Sequence, residues 1–272
     1  MSTYETVTVS KEGSFLAPEP NIAVVKLSRP EALNAFNDQL ITDLEAAFKE
    51  IEQDESIRAV VITAEGEKAF SAGADLKQAS TVSPEEATIQ AAALVEKGQR
   101  VFKYIENFPK PTICAINGLA LGGGLEISLC CDLRVASKEA KMGNPEVMIG
   151  LIPSWGGCDR LPRLVGLSKA KEIVLTGGMI TADQAEKIGL VNKVVPFDEL
   201  HSTAMFMAQK LADNAPVAMR LAKQVMNKSL DQDLDAGLAL ERDATVECFK
   251  TEDIQEGIKA VFEKRKAQFK GK

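Results

Sequence analysis

Two glutamates stand in stretches that are otherwise apolar: Glu126 in ALGGGLE (120–126) and Glu146 in KMGNPEVMIG (141–150). A carboxylate taken out of water is costly unless it is paired or put to use. Facing one cavity, two such groups could hold a single water between them, one accepting a proton while the other donates. The glycines at 122, 123 and 124 add an entropic cost of their own. Lacking Cβ, they leave main-chain N–H groups open to close approach, and such groups at a helix start can hold a developing oxyanion. SAGAD (71–75) has the small residues to offer another amide of this kind. The glycine run fits neither GxGxxG nor a P-loop, so no nucleotide cradle is expected. On position alone, Glu126 reads as a surface acid complementing a helix dipole and Glu146 as a loop acid or cap. It is their pairing that points to acid/base work.

The elements that must position these residues follow from the apolar pattern. IAVVKL (22–27) and AVVIT (59–63) read as buried strands. Leu40, Ile41, Leu44, Phe48 and Ile51 recur between them at helical spacing, with Asn37 or Asp38 as the cap. EGEKAFSAGADLK (65–77) reads as a loop and 84–107 as a helix opened by Pro84. TICAI (112–116) is the next strand, then come the glycine run, a short helix LEISLCC, and a strand LRVA (133–136). Alternating strands and helices predict an α/β fold. SKAKEIVLTG and TADQAEKIGL read as helices opened by a Ser or Thr cap and closed by glycine. VNKVVP (191–196) reads as a strand. Beyond it the pattern is helical, with Pro216 opening one helix and a last one starting near Thr251. The expected division is an α/β core over 1–197 and a helical region over 198–272.

Composition narrows the chemistry. The 272 residues carry a net charge of −7, with 45% apolar and 26% charged residues, and no apolar run long enough to span a bilayer. Phosphate contacts need a basic face, so a nucleic-acid partner is disfavoured. The start, MSTYETVTVSKEG, has neither signal-peptide nor transit-peptide character, which predicts a cytoplasmic protein. Five cysteines without metal-ligand spacing predict reduced, mostly buried thiols and no metal site. The single histidine, His201, is expected at the surface, which leaves serine–histidine or cysteine–histidine catalysis without a base. The last nine residues, KRKAQFKGK, carry five cations and read either as a frayed end or as an anion contact.

Three segments, AFSAGADLK (69–77), NGLALGGGLEISLCCDLRVAS (117–137) and GNPEVMIGLIPSWGGCDRL (143–161), resemble the enoyl-CoA hydratases of the crotonase superfamily, in matching order and spacing. SRPEALNAFN (28–37), LTGGMITADQAEKIGLVNKVV (175–195) and the C-terminal stretch extend the likeness through nearly the whole chain. The resemblance implies a spiral of ββα units with a helical C-terminal trimerisation region, assembled as a homotrimer or as a hexamer of paired trimers. It implies that Ala74 and Gly123 supply the oxyanion-hole amides and that Glu126 and Glu146, 20 residues apart, flank the catalytic water. Leu33, Ala72, Ala74, Asp75, Leu76, Lys77 and Gly123 would contact the acyl-CoA substrate. Coenzyme A would belong to that substrate, and no separate cofactor or metal would be needed. Lys264, Arg265 or Lys266 would be candidates for holding its phosphates. Keeping both glutamates implies reversible hydration of a trans-2-enoyl-CoA, in fatty-acid β-oxidation or related metabolism, rather than a double-bond shift, with an enoyl-CoA isomerase or a cyclic dienoyl-CoA hydratase of the same fold as the alternative. The acidic balance and the intact pair disfavour the RNA-binding members.

Two features depart from the family pattern. Pro153-Ser154-Trp155-Gly156-Gly157 stands where Pro-Gly-x-Gly-Gly is usual, with a small x. Trp155 would be either a packed aromatic or the floor of a short acyl pocket, and it enters the candidate substrate contacts on the second reading. LAPEP (16–20) lengthens the first turn, with no function attached to it.

Overall fold

The structure, a computed structural model, describes residues 4–77 and 83–272. Strands β1 (Val7–Ser14) and β2 (Ala17–Leu27) form an antiparallel hairpin, followed by helix α1 (Asp38–Gln53). Asn37 caps α1 by accepting from Leu40 N at 2.9 Å, and the Leu40, Ile41, Leu44, Ala47, Phe48 and Ile51 face is buried. Burying side chains of this size contributes roughly 1.5–3 kcal/mol each for the larger ones, which outweighs helix propensity in fixing α1 here.

Three strand–strand–helix units then repeat. Each contributes one strand to a large sheet, one three-residue strand to a small sheet, and a helical element. The first is β3 (Ala59–Ala64), β4 (Ala69–Ser71) and α2 (Pro84–Glu106). The second is β5 (Thr112–Ile116), β6 (Leu119–Leu121) and α3 (Gly123–Leu129). The third is β7 (Leu133–Ser137), β8 (Lys141–Gly143), a 3-10 turn over Pro145–Ile149 and α4 (Gly157–Val165). With β9 (Met179–Thr181) and β10 (Lys193–Val195) added, the large sheet runs β1-β2-β3-β5-β7-β10 and the small one β4-β6-β8-β9, so both take the units in chain order. This is the expected spiral of ββα units. Its consequence is positional: segments 72–75, 122–123 and 144–146 leave the same ends of three adjacent parallel strands.

Beyond α4 come α5 (Leu167–Thr176), β9 (Met179–Thr181), α6 (Ala182–Lys187) and β10 (Lys193–Val195). The helices α7 (Phe197–Ala212), α8 (Pro216–Ser229), α9 (Leu234–Phe249) and α10 (Glu252–Glu263) complete the chain. Strands β2, β3 and β5 are buried on both faces, as parallel strands between helical layers must be. Ala23, Val25, Val60, Ile62, Cys114 and Ile116 face one core with α1 and α2. Ile22, Val24, Ala59, Val61, Ile113 and Ala115 face a second core closed by Leu200, Ala204, Met205, Ala208 and Ala212 of α7. Thus α7, which follows the expected boundary at residue 197, is the cover of the sheet's second face.

Several local expectations need correction. A strand at 7–14 precedes the first one predicted, because its mixed polar sequence hides the pairing with β2. Ala17 to Pro20 of LAPEP belong to β2, and only Phe15 and Leu16 form the turn. The 65–77 loop contains β4. Helix α5 starts at Leu167 behind Gly166, with no side-chain cap from Ser168. Thr181 does cap α6, through a capping box with Gln184. His201 is exposed and lies 3.1 Å from Glu12 Oε2. Cys114, Cys130 and Cys131 are buried, Cys248 is partly buried and Cys158 is exposed.

The basic tail is docked rather than frayed. Arg265 pairs with Glu256 and Glu263, both at 2.6 Å, and Lys266 with Asp213 at 2.6 Å. Asp253 accepts from Lys270 N at 2.7 Å and Gly271 N at 2.8 Å. Two of the three cations considered for the coenzyme phosphates are therefore already neutralised by carboxylates.

Candidate active site

The site forms where the three spiral turns leave β4, β6 and β8. Segment 72–75 is held by a parallel bridge: Phe36 N donates to Gly73 O at 2.7 Å and Asp75 N to Phe36 O at 2.9 Å. That pairing uses the positions on either side of Ala74 and leaves the Ala74 N–H outside the ladder. Gly73 has φ +96°, and a Cβ there would stand 2.9 Å from Leu121 O and 3.4 Å from Gly123 N. Glycine is required by both the conformation and the space. The close approach brings the Ala74 peptide beside the start of α3.

Gly122 precedes α3 with φ +50° and ψ −121°, and its N–H donates to Gly143 O at 2.9 Å. The seven residues of α3 are all buried, so its first turn lies out of bulk water. A Cβ on Gly123 would collide with the Trp155 ring, so this amide too has glycine behind it for a steric reason. Of the expected pair, Gly123 N lies against Gly73, the residue before Ala74.

Glu126 lies one turn further on, its N–H donating to Gly122 O at 2.9 Å, and is 2% exposed. Its Oε1 accepts from Trp155 N at 2.7 Å and from Gly157 N at 2.8 Å. Both bonds fall on one oxygen, so neither amide engages Oε2. Burial pushes this carboxyl up to about 7, and the Glu146 charge adds to that rise. The Gly157 and Trp155 amides and the Arg160 charge act in the opposite direction.

Glu146 sits on the 3-10 turn that Pro145 opens, against Gly122: a Cβ on Gly122 would come within 2.8 Å of Glu146 Oε1. Oε2 is buried without a hydrogen-bond partner among the described residues. Asn144, fully buried, points Nδ2 at Oε1 from 3.4 Å. Burial raises the Glu146 carboxyl above the usual range, opposed by its own backbone amide and by Asn144.

The remaining predicted contacts ring this centre unevenly. Asp75 is committed to Arg29 at 3.0 Å, a largely buried ion pair that ties the 72–75 segment to the 29–36 turn. Leu33 is 40% exposed in the left-handed region at φ +51°, and its carbonyl accepts from Ala72 N. Leu76 and Lys77 lie at the exposed rim. Trp155 is 3% exposed and packs edge-on against Phe36 and Phe102, with centroids 5.8 Å and 5.4 Å away. Its indole is part of the aromatic core directly behind Gly123.

Sequence reasoning missed the donors of Trp155 and Gly157, because backbone amides have no residue type. The signal available was the Gly156-Gly157 pair after Pro153, which marks a sharp turn opening a helix. Among the described residues no cluster of His, Cys, Asp or Glu could hold a metal ion.

A spiral fold that gathers two carboxylates raised by burial beside glycine-opened backbone turns has the groups that acid/base chemistry requires. The enoyl-CoA hydratase/isomerase family model matches residues 18–272. The chain is 45% identical to the short-chain-enoyl-CoA hydratase of Clostridium acetobutylicum over 254 residues, 93% of this chain and 96% of that one. It is 42% identical to the crotonyl-CoA hydratase of Syntrophomonas wolfei over 258 residues, 95% and 98% of the two chains. The crystal structure of an enoyl-CoA hydratase from Bacillus anthracis superposes with a TM-score of 0.91 at 37% identity, covering 98% of this chain and all of the other. This chain belongs to the enoyl-CoA hydratase/isomerase family and has its crotonase fold.

Proposed function

We propose that this enzyme is a hydro-lyase that adds water reversibly to the double bond of a short trans-2-enoyl-CoA. The observation that supports the reading most is the pair of carboxylates raised by burial, Glu126 and Glu146, on the segments that follow β6 and β8, with the Gly73 and Gly122–Gly123 backbones packed together beside them. The thioester oxygen would accept from the Ala74 and Gly123 amides. As hydroxide adds at Cβ, negative charge gathers on that oxygen, where preorganised donors count most. Losing one such donor typically costs about 3–4 kcal/mol of transition-state stabilisation.

Glu126 Oε2 takes a proton from the attacking water and Glu146 Oε2 gives one to Cα. Because both groups lie on the same face, the addition is syn. In dehydration each reverses its role. The pair needs no metal, no histidine and no separate cofactor, with coenzyme A arriving as part of the substrate. Retention of both carboxylates favours hydration over a double-bond shift.

The short acyl group is supported by the names of the two relatives and by the aromatic packing of Trp155, Phe36 and Phe102 behind Gly123. A homotrimer, or a hexamer of two trimers, is supported by apolar side chains that α9 and α10 leave exposed, among them Leu234, Val246, Phe249, Val261 and Phe262. Monomers rarely present so many together. A cytoplasmic location, with no nucleic-acid or membrane partner, completes the reading. Among the described residues no helix is long and apolar enough to cross a membrane.

Incubation with crotonyl-CoA tests the reading: the conjugated thioester absorbance should fall as 3-hydroxybutyryl-CoA forms. A vinylacetyl-CoA to crotonyl-CoA conversion without hydration would instead make it an isomerase.

A further inference from the structure

The turn that delivers two amides to Glu126 is itself held from outside the site. Arg160 on α4 donates from Nη1 to Trp155 O at 2.8 Å. Its Nε and Nη2 donate to Oε1 and Oε2 of Glu106 at 2.9 Å and 2.8 Å, a two-pronged pair with the last residue of α2. The Arg160 side chain is 14% exposed. Its own N–H donates to Gly156 O at 2.8 Å. Gly156 has φ +108°, and a Cβ there would collide with the guanidinium. Glycine at 156 is what lets the arginine lie over the turn. Trp155 therefore joins the two groups: its carbonyl accepts from Arg160 and its N–H donates to Glu126.

Other contacts hold the same assembly. Gln99 of α2 donates to Ser154 O at 2.7 Å, and Asn227 of α8 donates to Glu106 O at 3.1 Å. A planar guanidinium matches this task, since it spans a carboxylate and a carbonyl at once, whereas an ammonium is a point charge.

We infer that Arg160, anchored by Glu106, is the positioning residue for Glu126, fixing the 153–157 turn so that the Trp155 and Gly157 amides hold Oε1 and aim Oε2 at the reacting water. The inference rests on the hydratase reading above and assigns Arg160 no contact with substrate. Its charge gives it a second, separable effect. Glu126 is faced by Glu146 from the 145–149 turn, by Arg160 and Cys158 from α4, and by Cys130 from its own helix. Glu106 and Asp159 act in turn on the guanidinium. Arg160 favours the ionised form of Glu126, so its removal should move that carboxyl further up.

The test uses the full-length chain as R160Q, R160K and E106Q, read by crotonyl-CoA kinetics over pH 5.5–9 and by the 13C carboxyl titration of Glu126, assigned with E126Q. R160Q should lose roughly 10- to 100-fold in kcat, the scale of a misaimed catalytic group, with KM changed less than about threefold. Its acidic limb and the Glu126 titration should both move to higher pH. R160K keeps the charge and loses the fork, so its kcat should fall by less and its limb stay in place. E106Q should lower kcat with the limb unmoved. Wild-type kcat and an unshifted titration in R160Q would overturn the inference. So would equal losses in R160Q and R160K that track a fall in Tm with no titration shift, which would make Arg160 a brace only. If R160Q fails to fold, R160K and E106Q decide: undiminished kcat in both overturns the inference. An inactive wild type would instead overturn the hydratase reading, and the NMR titration would still report on Arg160.

Discussion

A side chain at Gly122 would stand 2.8 Å from Oε1 of Glu146, so the backbone of one spiral turn forms the wall against which the acid of the next is set. Gly122 also holds φ +50°, outside the range that other residues adopt readily. G122A should therefore strain the turn and push Glu146 aside. Displacement on the ångström scale costs on the order of 100-fold in rate. Steady-state kinetics should show that loss in kcat, with far-UV circular dichroism unchanged. Wild-type kcat in G122A would mean the Glu146 carboxylate is free to settle elsewhere.

The pH profile should follow the two carboxyls. Hydration needs Glu126 ionised, and burial has raised it to about 7, so kcat/KM should fall as pH drops through that value. On the alkaline side the rate should fall as the coupled pair gives up its last proton, since hydration needs one of the two carboxyls protonated. A profile flat from pH 5 to 9 would remove the two carboxyls from the rate-determining chemistry.

The same elevation makes a stability prediction. Glu126 binds its proton more tightly folded than unfolded, where 4.5 applies, so the folded state is favoured below that value and loses stability as pH rises through about 7. A rise from 4.5 to about 7 corresponds to roughly 3 kcal/mol. E126Q keeps an acceptor for the Trp155 and Gly157 amides without the buried charge. It should unfold at a higher temperature than wild type at pH 8, and the gap should close at pH 4. An equal offset at both pH values would mean that the charge is not the cause.

Trp155 carries a prediction that separates packing from substrate contact. Its ring packs on Phe36 and Phe102, so W155A should lose about 3–5 kcal/mol of stability. If the ring also closes the acyl pocket, W155A and W155F should extend activity from C4 toward longer enoyl-CoAs. An unchanged profile from C4 to C16 would leave the indole a packing role alone.

Removing residues 264–272 should lower Tm, because Asp253 would lose two backbone donors and Glu256 its arginine. KM for crotonyl-CoA should stay within about twofold, since Arg265 and Lys266 already face carboxylates. A KM rise of tenfold with the assembly intact would restore the tail as a phosphate contact.

How much of this was legible in the sequence depended on what each feature is made of. Helix α1 with its Asn37 cap, α2 with Pro84 at its start and the strands of the large sheet after β1 were written in periodicity and start residues, whereas the Ser83 capping box of α2 came only with the structure. Strands β4, β6, β8 and β9 are three residues each, too short for any period to register. Yet these four form the small sheet, and the ends of three of them, β4, β6 and β8, lead into the site. Glu126 and Glu146 stood out because acids in apolar sequence are costly. Their holders did not: the Trp155 and Gly157 donors are backbone, and Arg160 reads as an ordinary helix cation until its carbonyl and carboxylate partners are seen.

The most direct measurement compares wild type, E126Q and E146Q in the hydration of crotonyl-CoA at pH 7.5, with incorporation of solvent oxygen-18 at C3 as the product readout. The two-glutamate mechanism requires that wild type incorporate the label and that each glutamine variant, folded and able to bind acyl-CoA, lose about 100- to 10,000-fold in kcat. Near wild-type turnover in either variant would contradict it.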